Sequence, residues 1–131
     1  MVDRDRFVID SFAWFEYFSG SEAGKRAADH IEERRTLTPT IVVAELSEKY
    51  MRAGADFKEK LKFISFRSTL IPLDERIAEY AGRLSVERKR KIERWGIVDS
   101  IILATARLNE CRIITGDEHF RDLRTEVLMI K

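Results

Sequence analysis

Phe7-Val8-Ile9-Asp10-Ser11 is the stretch that decides how this chain folds. Its apolar run predicts a short buried strand, beginning near Arg6, that ends at Asp10. Asp10 and Ser11 are both good helix N-caps, so a helix is expected to follow from Phe12 to about Phe18. This stretch predicts a buried strand that leads directly into a helix, with an acid at the junction. The remaining sequence can be searched for the same pattern.

Short apolar runs alternate with helical patterns along the remaining chain. Further strands are predicted near residue 37 and at 69–73, 112–115 and 126–130, and Pro72 places the second of these near a sheet edge. Further helices are predicted after the capping box Ser19-Gly20-Ser21-Glu22, over 40–52, around 57–64, after Asp74 and over 97–108. This alternation predicts a parallel sheet with helices on both faces, an α/β sandwich.

Four acidic residues stand at the boundary of apolar segments, where a carboxylate is otherwise out of place: Asp10, Glu45, Asp99 and Asp117. Asp10 and Asp117 follow the carboxyl ends of predicted strands, where parallel sheets bind their ligands. Asp99 falls in the first turn of its helix, and Glu45 near the middle of another. No Lys or Arg lies within these apolar stretches. If the fold brings the acids together, a divalent metal is the obvious compensator for partly desolvated carboxylates.

The composition describes a soluble globular protein. Of its 131 residues, 44% are hydrophobic and 36% are charged, and we expect one domain over residues 1–131. The net charge of +1 argues against general adhesion to nucleic acid but permits a local basic patch. One cysteine, Cys111, a charged N-terminus at Met1–Arg6 and the lack of an apolar run of ~18 residues predict a cytoplasmic protein.

Four motifs occur in a characteristic order and spacing. The 7–11 stretch is followed by Pro39-Thr40-Ile41-Val42-Val43-Ala44-Glu45-Leu46, Val98-Asp99-Ser100-Ile101-Ile102-Leu103-Ala104-Thr105-Ala106 and Ile114-Thr115-Gly116-Asp117-Glu118-His119-Phe120. Together they resemble the PIN-domain nucleases, in particular the small toxins of VapBC-type toxin–antitoxin pairs, over the whole chain. The resemblance implies a three-layer α/β/α sandwich with a parallel sheet of about five strands.

The resemblance also implies an activity. PIN-like toxins are divalent-metal-dependent endoribonucleases that hydrolyse RNA phosphodiester bonds, usually with Mg²⁺ or Mn²⁺. A site without His or Cys ligands favours these hard cations over zinc. Asp10 and Asp99 are expected to be the principal metal ligands, and Asp117 and Glu45 to complete the catalytic site.

Several neighbours of the four acids are candidates for supporting roles. Ser11 and Thr115 are placed to hold the carboxylates by hydrogen bonds. Glu118 and Asp122 are available for a second metal, and one-metal and two-metal chemistry both stay open. His119 fits either a contact with substrate phosphate or a packing role in its loop.

Two further features have both a structural and a functional interpretation. The aromatics of residues 12–18 point around the whole helix, so we expect one or two to be exposed at an interface with a second copy or with an antitoxin. The basic run Arg88-Lys89-Arg90-Lys91, followed by Arg94, fits either an RNA-backbone contact or a solvated helix face.

Other classes of protein are weighed against this one. A haloacid-dehalogenase-like phosphatase needs a second Asp two residues after the first, where Phe12 stands, and a receiver domain needs an acidic pair that Asp10-Ser11 does not supply. The alternatives that stay open are a catalytically silent PIN-like module that binds RNA or protein, and an RNA-maturation nuclease unrelated to toxicity. The presence of all four acids argues against the silent module.

Overall fold

A five-stranded parallel sheet forms the centre of the fold in the computed structural model, which describes residues 3–131, with side chains from residue 5 onward. The strands are β1 (Asp3–Ile9), β2 (Thr36–Pro39), β3 (Ser68–Ile71), β4 (Cys111–Thr115) and β5 (Val127–Met129). Their spatial order is β3-β2-β1-β4-β5, and each neighbouring pair is parallel. The predicted parallel sheet is confirmed, and β3 lies at its edge as Pro72 indicated.

Helices cover the sheet and complete the predicted sandwich. They are α1 (Ser11–Ser19), α2 (Glu22–Glu33), α3 (Thr40–Arg52), α4 (Lys58–Arg67), α5 (Glu75–Lys89) and α6 (Ile97–Leu108), and a single 3-10 turn spans Glu118–Phe120. The expected capping box at Ser19 was wrong in detail. Ser21 is the N-cap of α2, and its Oγ accepts a hydrogen bond from the Gly24 N–H at 3.0 Å.

The core lies where β1 and β4 pair. Val8, Ile9, Ile113 and Ile114 are fully buried, as expected for the central strands of a parallel sheet covered on both faces. The buried Trp14 donates its Nε1–H to Thr38 Oγ1 at 3.1 Å, which satisfies the indole N–H inside the core and ties α1 to β2.

The aromatics of α1 are packed against this core. Trp14 is fully buried, and the others are half-buried: Phe12, Phe15, Tyr17 and Phe18. Tyr17 also stacks on Phe63 of α4, with ring centroids 5.8 Å apart. The expectation that one or two of these aromatics are exposed is therefore wrong, while the partner interface itself stays a prediction.

Two expectations about the chain outside the sheet can be compared with the structure. No helix in the part of the chain that the structure describes is long and apolar enough to cross a membrane. Met1 and Val2, the beginning of the charged N-terminal segment, lie outside the described residues.

Candidate active site

The carboxyl ends of β1 and β4 bring together the two acids that follow strands. Asp10 comes directly after β1, and Asp117 comes after β4 and Gly116. The strands are adjacent and parallel, with Ile9 in register with Ile114, so both acids lie at one edge of the sheet. The chain passes to β2 on one side of β1 and to β4 on the other, which makes this edge the switch point where α/β sheets bind ligands.

Asp10 is the most deeply buried of the four acids, with only 3% of its surface exposed. It is the N-cap of α1 and accepts a hydrogen bond from the Ala13 N–H at 2.9 Å. The pKa of Asp10 is raised to about 7, mainly by burial and in smaller part by the charges of Asp117 and Glu45, while the hydrogen bonds from Thr115 and Ala13 act to lower it. An ionised Asp10 is therefore costly unless a cation approaches it.

Asp99 and Asp117 are joined by His119, a residue whose role the sequence left open. Asp99 Oδ2 accepts hydrogen bonds from the Gly96 N–H at 3.1 Å and from His119 Nδ1 at 2.9 Å. Asp117 Oδ1 accepts from the His119 backbone N–H at 2.9 Å. One ligand atom from each of Asp99, Asp117 and His119 lies within 4.8 Å of the others, a spacing at which they could hold one metal ion. The premise that no histidine lies at the site was wrong.

Glu45 completes the acidic group from the middle of α3. Its pKa is raised by burial and by the charges of Asp99 and Asp117, and lowered by a hydrogen bond from Ser11. Among the described residues, its Oε1 is buried without a hydrogen-bond partner. A buried carboxylate oxygen with no donor, beside three other acids, is the environment that a divalent cation compensates. The residues present therefore fit a metal.

Thr115 holds two of the acids in place. Its Oγ1 accepts a hydrogen bond from the Asp117 N–H at 3.0 Å, and its side chain is also hydrogen-bonded to Asp10. The last residue of β4 thus fixes the acid after β1 relative to the acid after β4. The two hydrogen bonds of Thr115 therefore link the Asp10 and Asp117 ends of the proposed metal site.

The arrangement of the four acids can now be compared with known protein families. The PIN domain family matches the chain over residues 7–126. The chain belongs to the PIN domain family. The match includes all four acids, the end of β1 and the whole of β4.

Solved structures share the fold of this PIN domain at low sequence identity. A toxin–antitoxin complex from Klebsiella pneumoniae is 22% identical, with a TM-score of 0.76, and the alignment covers 95% of this chain and 97% of that one. DNA-bound VapBC from Salmonella typhimurium is 17% identical, with a TM-score of 0.70 and 100% of both chains covered. The sarcin–ricin-loop-cleaving toxin VapC20 from Mycobacterium tuberculosis is 13% identical, with a TM-score of 0.70 and coverage of 89% and 94%. Among curated protein sequences, none matches significantly.

The loop that carries Asp117 and His119 in this PIN domain is anchored by Arg88. Although it belongs to the basic run, Arg88 is buried, with 4% of its surface exposed. Its guanidinium makes two hydrogen bonds to Asp122, at 2.7 and 2.8 Å, and one to the His119 carbonyl at 3.0 Å, and it lies 4.4 Å from the Trp95 ring centroid. Arg88 therefore cannot serve as the RNA contact that the run suggested.

The two acids considered for a second metal have other partners. Asp122 binds Arg88, which lowers the pKa of Asp122. Glu118 forms an exposed ion pair with Arg121, with a shortest N···O distance of 2.6 Å. The Arg88–Asp122 pair was not recognisable in the sequence, because its members lie 34 residues apart, whereas Glu118 and Arg121 are only three residues apart.

Proposed function

We propose that this PIN domain is a divalent-metal-dependent endoribonuclease that hydrolyses RNA phosphodiester bonds. The observation that carries the proposal is the meeting of Asp10, Glu45, Asp99 and Asp117 at one edge of the sheet. Among residues 5–131, no Lys or Arg forms an ion pair with any of these four carboxylates, and only His119 lies within ion-pairing distance of Asp99 and Asp117. Four acids kept together with no Lys or Arg in ion-pairing contact among residues 5–131 support a site for a bound cation.

Asp10 and Asp99 would be the principal ligands of Mg²⁺ or Mn²⁺, with Asp117 and Glu45 completing the set. The cation, when bound, supplies Lewis-acid activation of water and of the phosphodiester. The protein supplies fixed positions for the carboxylates. Because an ionised carboxylate only accepts hydrogen bonds, the proton of the Asp99–His119 pair is on His119 Nδ1, and the bond orients the Asp99 carboxylate.

RNA cleavage by the purified chain tests this function. The unmutated protein should cleave RNA with Mg²⁺ or Mn²⁺ and should lose the activity in EDTA. Asp10→Asn and Asp99→Asn should each abolish cleavage because each removes a ligand charge without removing the side chain. Glu118→Gln is the matched control, since Glu118 lies beside Asp117 in sequence but pairs with Arg121 at the surface. Cleavage that persists in EDTA, or in both Asn variants, contradicts the proposal.

We further propose that the nuclease is the toxin of a toxin–antitoxin pair. The similar structures from Klebsiella pneumoniae and Salmonella typhimurium are a toxin–antitoxin complex and a DNA-bound VapBC, which supports an antitoxin protein as partner. The single cysteine fits a reducing cytoplasm as the place of action. Induced expression should arrest growth, and co-expression of the antitoxin from a neighbouring short reading frame, identified first from the gene's surroundings, should relieve the arrest. Normal growth with active protein would favour an RNA-maturation nuclease instead.

We also propose that the chain forms a homodimer. Large apolar side chains remain exposed on the surface, notably Met51 on α3 at 76% and Phe66 on α4 at 83%. Single exposed apolar residues are common, so the oligomeric state has to be measured directly. Sedimentation at micromolar concentration should show a dimer. Phe66→Ser should weaken the dimer if the contact is made through α4, and should leave it unchanged if the contact lies elsewhere. A monomer at all concentrations contradicts the dimer.

A further inference from the structure

A cleft of about 620 Å³ opens beside the acids, along α3. Its walls include Glu45, Lys49 and Arg52, which lie on one face of α3 because they are four and seven residues apart. Asp117 and Phe12 line the same cleft. The helix rises about 1.5 Å per residue, so Lys49 and Arg52 stand roughly 6 and 10 Å along the axis from Glu45. Two cations therefore flank the acidic group within one continuous space.

Lys49 and Arg52 are available to bind an anion. Lys49 Nζ lies 3.8 Å from the Phe15 ring centroid, a cation–π contact that positions the ammonium without neutralising it. Arg52 lies 3.3 Å from Glu48, and both side chains are largely exposed, so this pair is weak and readily exchanged for a phosphate. A polyanionic substrate needs such cations, because the acids alone repel it. The buried Arg88 cannot provide them.

Phe12 gives the cleft an aromatic wall beside Asp117. A Cβ atom on Gly116 would meet the Phe12 ring at 2.1 Å, so the ring lies directly against the backbone that precedes Asp117. The ring is half-buried: it packs against the core, lines the cleft and has Lys131 Nζ 5.7 Å from its centroid. An aromatic ring beside a cationic groove is a stacking surface for an unpaired base. Gly116 permits this close approach because it has no side chain.

We propose that single-stranded RNA enters the active site along α3, with Lys49 and Arg52 contacting successive phosphates and Phe12 stacking on a base next to the scissile bond. This path rests on the proposed ribonuclease function and specifies how that site holds its substrate. It requires unpaired nucleotides, because a base within a duplex does not offer its face to Phe12. The path is independent of the 88–91 run, in which Arg88 is buried and Lys89, Arg90 and Lys91 are exposed.

Binding of a short fluorescent RNA oligonucleotide in EDTA measures the path without cleavage. Each phosphate contact contributes about −0.7 to the slope of log affinity against log salt for a single strand, so Lys49→Gln/Arg52→Gln should reduce the slope by about 1.4. The matched control is Lys62→Gln/Arg83→Gln, which removes the same charge from exposed pairs on α4 and α5. The control should retain the slope of the unmutated chain.

Phe12 requires a different measurement because it carries no charge. Stacking on one base contributes roughly a ten-fold effect on affinity, so Phe12→Leu should weaken binding by about that factor and leave the salt slope unchanged. Phe12→Tyr keeps the ring and should restore the affinity. Equal binding of a duplex RNA of the same length by the unmutated chain would overturn the stacking contact.

The outcomes separate this proposal from the nuclease proposal. An unchanged salt slope in the Lys49→Gln/Arg52→Gln variant, or an equal loss in the control, overturns the path even if the unmutated chain cleaves RNA with metal. The expected slope change in a chain that never cleaves RNA supports the path and contradicts the nuclease proposal. Thermal melts of each variant establish that it is folded before its affinity is compared.

Discussion

Replacing Asp10 by Asn should stabilise the metal-free protein while abolishing activity. Asn is isosteric with Asp, and as an N-cap it can still accept the hydrogen bond from the Ala13 N–H. Its amide oxygen can also accept from the Thr115 hydroxyl, which the carboxylate contacts in the unmutated protein. The substitution therefore removes mainly the buried charge. The effect on stability measures what that charge costs the fold.

The magnitude follows from the pKa of Asp10, which burial raises from an ordinary 3.8 to about 7. A pKa raised by folding means that the native state disfavours the ionised carboxylate. The penalty is absent at low pH, grows as the pH rises past the unfolded pKa, and is complete above the folded pKa. Each pKa unit corresponds to about 1.4 kcal/mol, so the full penalty is about 4 kcal/mol. Asn is neutral at every pH, so the Asp10→Asn protein does not carry this penalty.

The assay is urea unfolding of the two proteins in EDTA, at about pH 5 and about pH 8. By linkage, the penalty is less than about 2 kcal/mol at the lower pH and more than about 4 kcal/mol at the higher, so the advantage of Asp10→Asn should grow by about 3 kcal/mol between them. Packing changes caused by the substitution contribute equally at both pH values, so they cancel when the two stability differences are compared. Asp99→Asn is the control, because Asp99 already accepts N–H donors from Gly96 and His119 and its loss should not stabilise the fold.

One result would refute the reasoning. If the stability difference between Asp10→Asn and the unmutated chain is the same at both pH values, the buried Asp10 is not ionised at a cost. In that case the acids at the sheet edge are already compensated by the protein itself. The argument for a missing cation would then lose its electrostatic basis.

Other perturbations have expected outcomes that can be measured in the same way. A divalent metal at 100 times its dissociation constant should stabilise the unmutated chain by about 2.7 kcal/mol and so raise its melting temperature. The rise should be much smaller for Asp10→Asn, and equal rises in the two proteins would place the metal elsewhere. Arg88→Gln should destabilise the fold by about 2–3 kcal/mol because it removes a buried guanidinium and its hydrogen bonds to the His119 carbonyl and to the solvent-exposed Asp122. The exposed Lys91→Gln should change stability by less than about 0.5 kcal/mol, and similar values for both variants would contradict the anchoring role. Gly116→Ala should cost about 1–3 kcal/mol by displacing the Phe12 ring, with an altered near-ultraviolet circular dichroism signal, and an unchanged spectrum would show that the ring does not press on this backbone.

The fold was predictable from local patterns because its central strands are buried on both faces. Runs such as 7–9 and 112–115 carry no polar residue that would face solvent except Arg112, and the helices between them begin at recognisable caps such as Asp10 and Asp74. The capping-box error arose because Ser19 and Ser21 are both competent caps, and only the chain geometry chooses between them. The aromatics of α1 were misjudged because helical periodicity does not show that α4 supplies a second apolar surface, including Phe63, for them to cover.

The candidate site was only partly predictable, because sequence patterns report contacts within an element and miss those between distant ones. Asp10 and Asp117 could be placed together since both end adjacent parallel strands. Arg88 looks like every other residue of its basic run until Asp122, 34 residues along the chain, is brought beside it. A charge run predicts exposure on average, and the one buried member is identified by a tertiary partner alone.

The presence of His119 beside Asp99 affects which cation the site prefers. A histidine ligand favours softer divalent ions, so its presence alone would weaken the argument for Mg²⁺ or Mn²⁺. In this site, however, His119 Nδ1 is engaged with Asp99 Oδ2 at 2.9 Å and carries the proton of that bond, so this nitrogen does not ligate while the pair is intact. One carboxylate oxygen of Asp99 remains within 4.8 Å of one of Asp117, and hard cations prefer such oxygens. We therefore expect the proposed site to prefer Mg²⁺ or Mn²⁺ as long as His119 orients Asp99. His119→Asn should be tolerated by the fold while loosening the Asp99 carboxylate and weakening metal binding, which calorimetric titration with Mn²⁺ would measure.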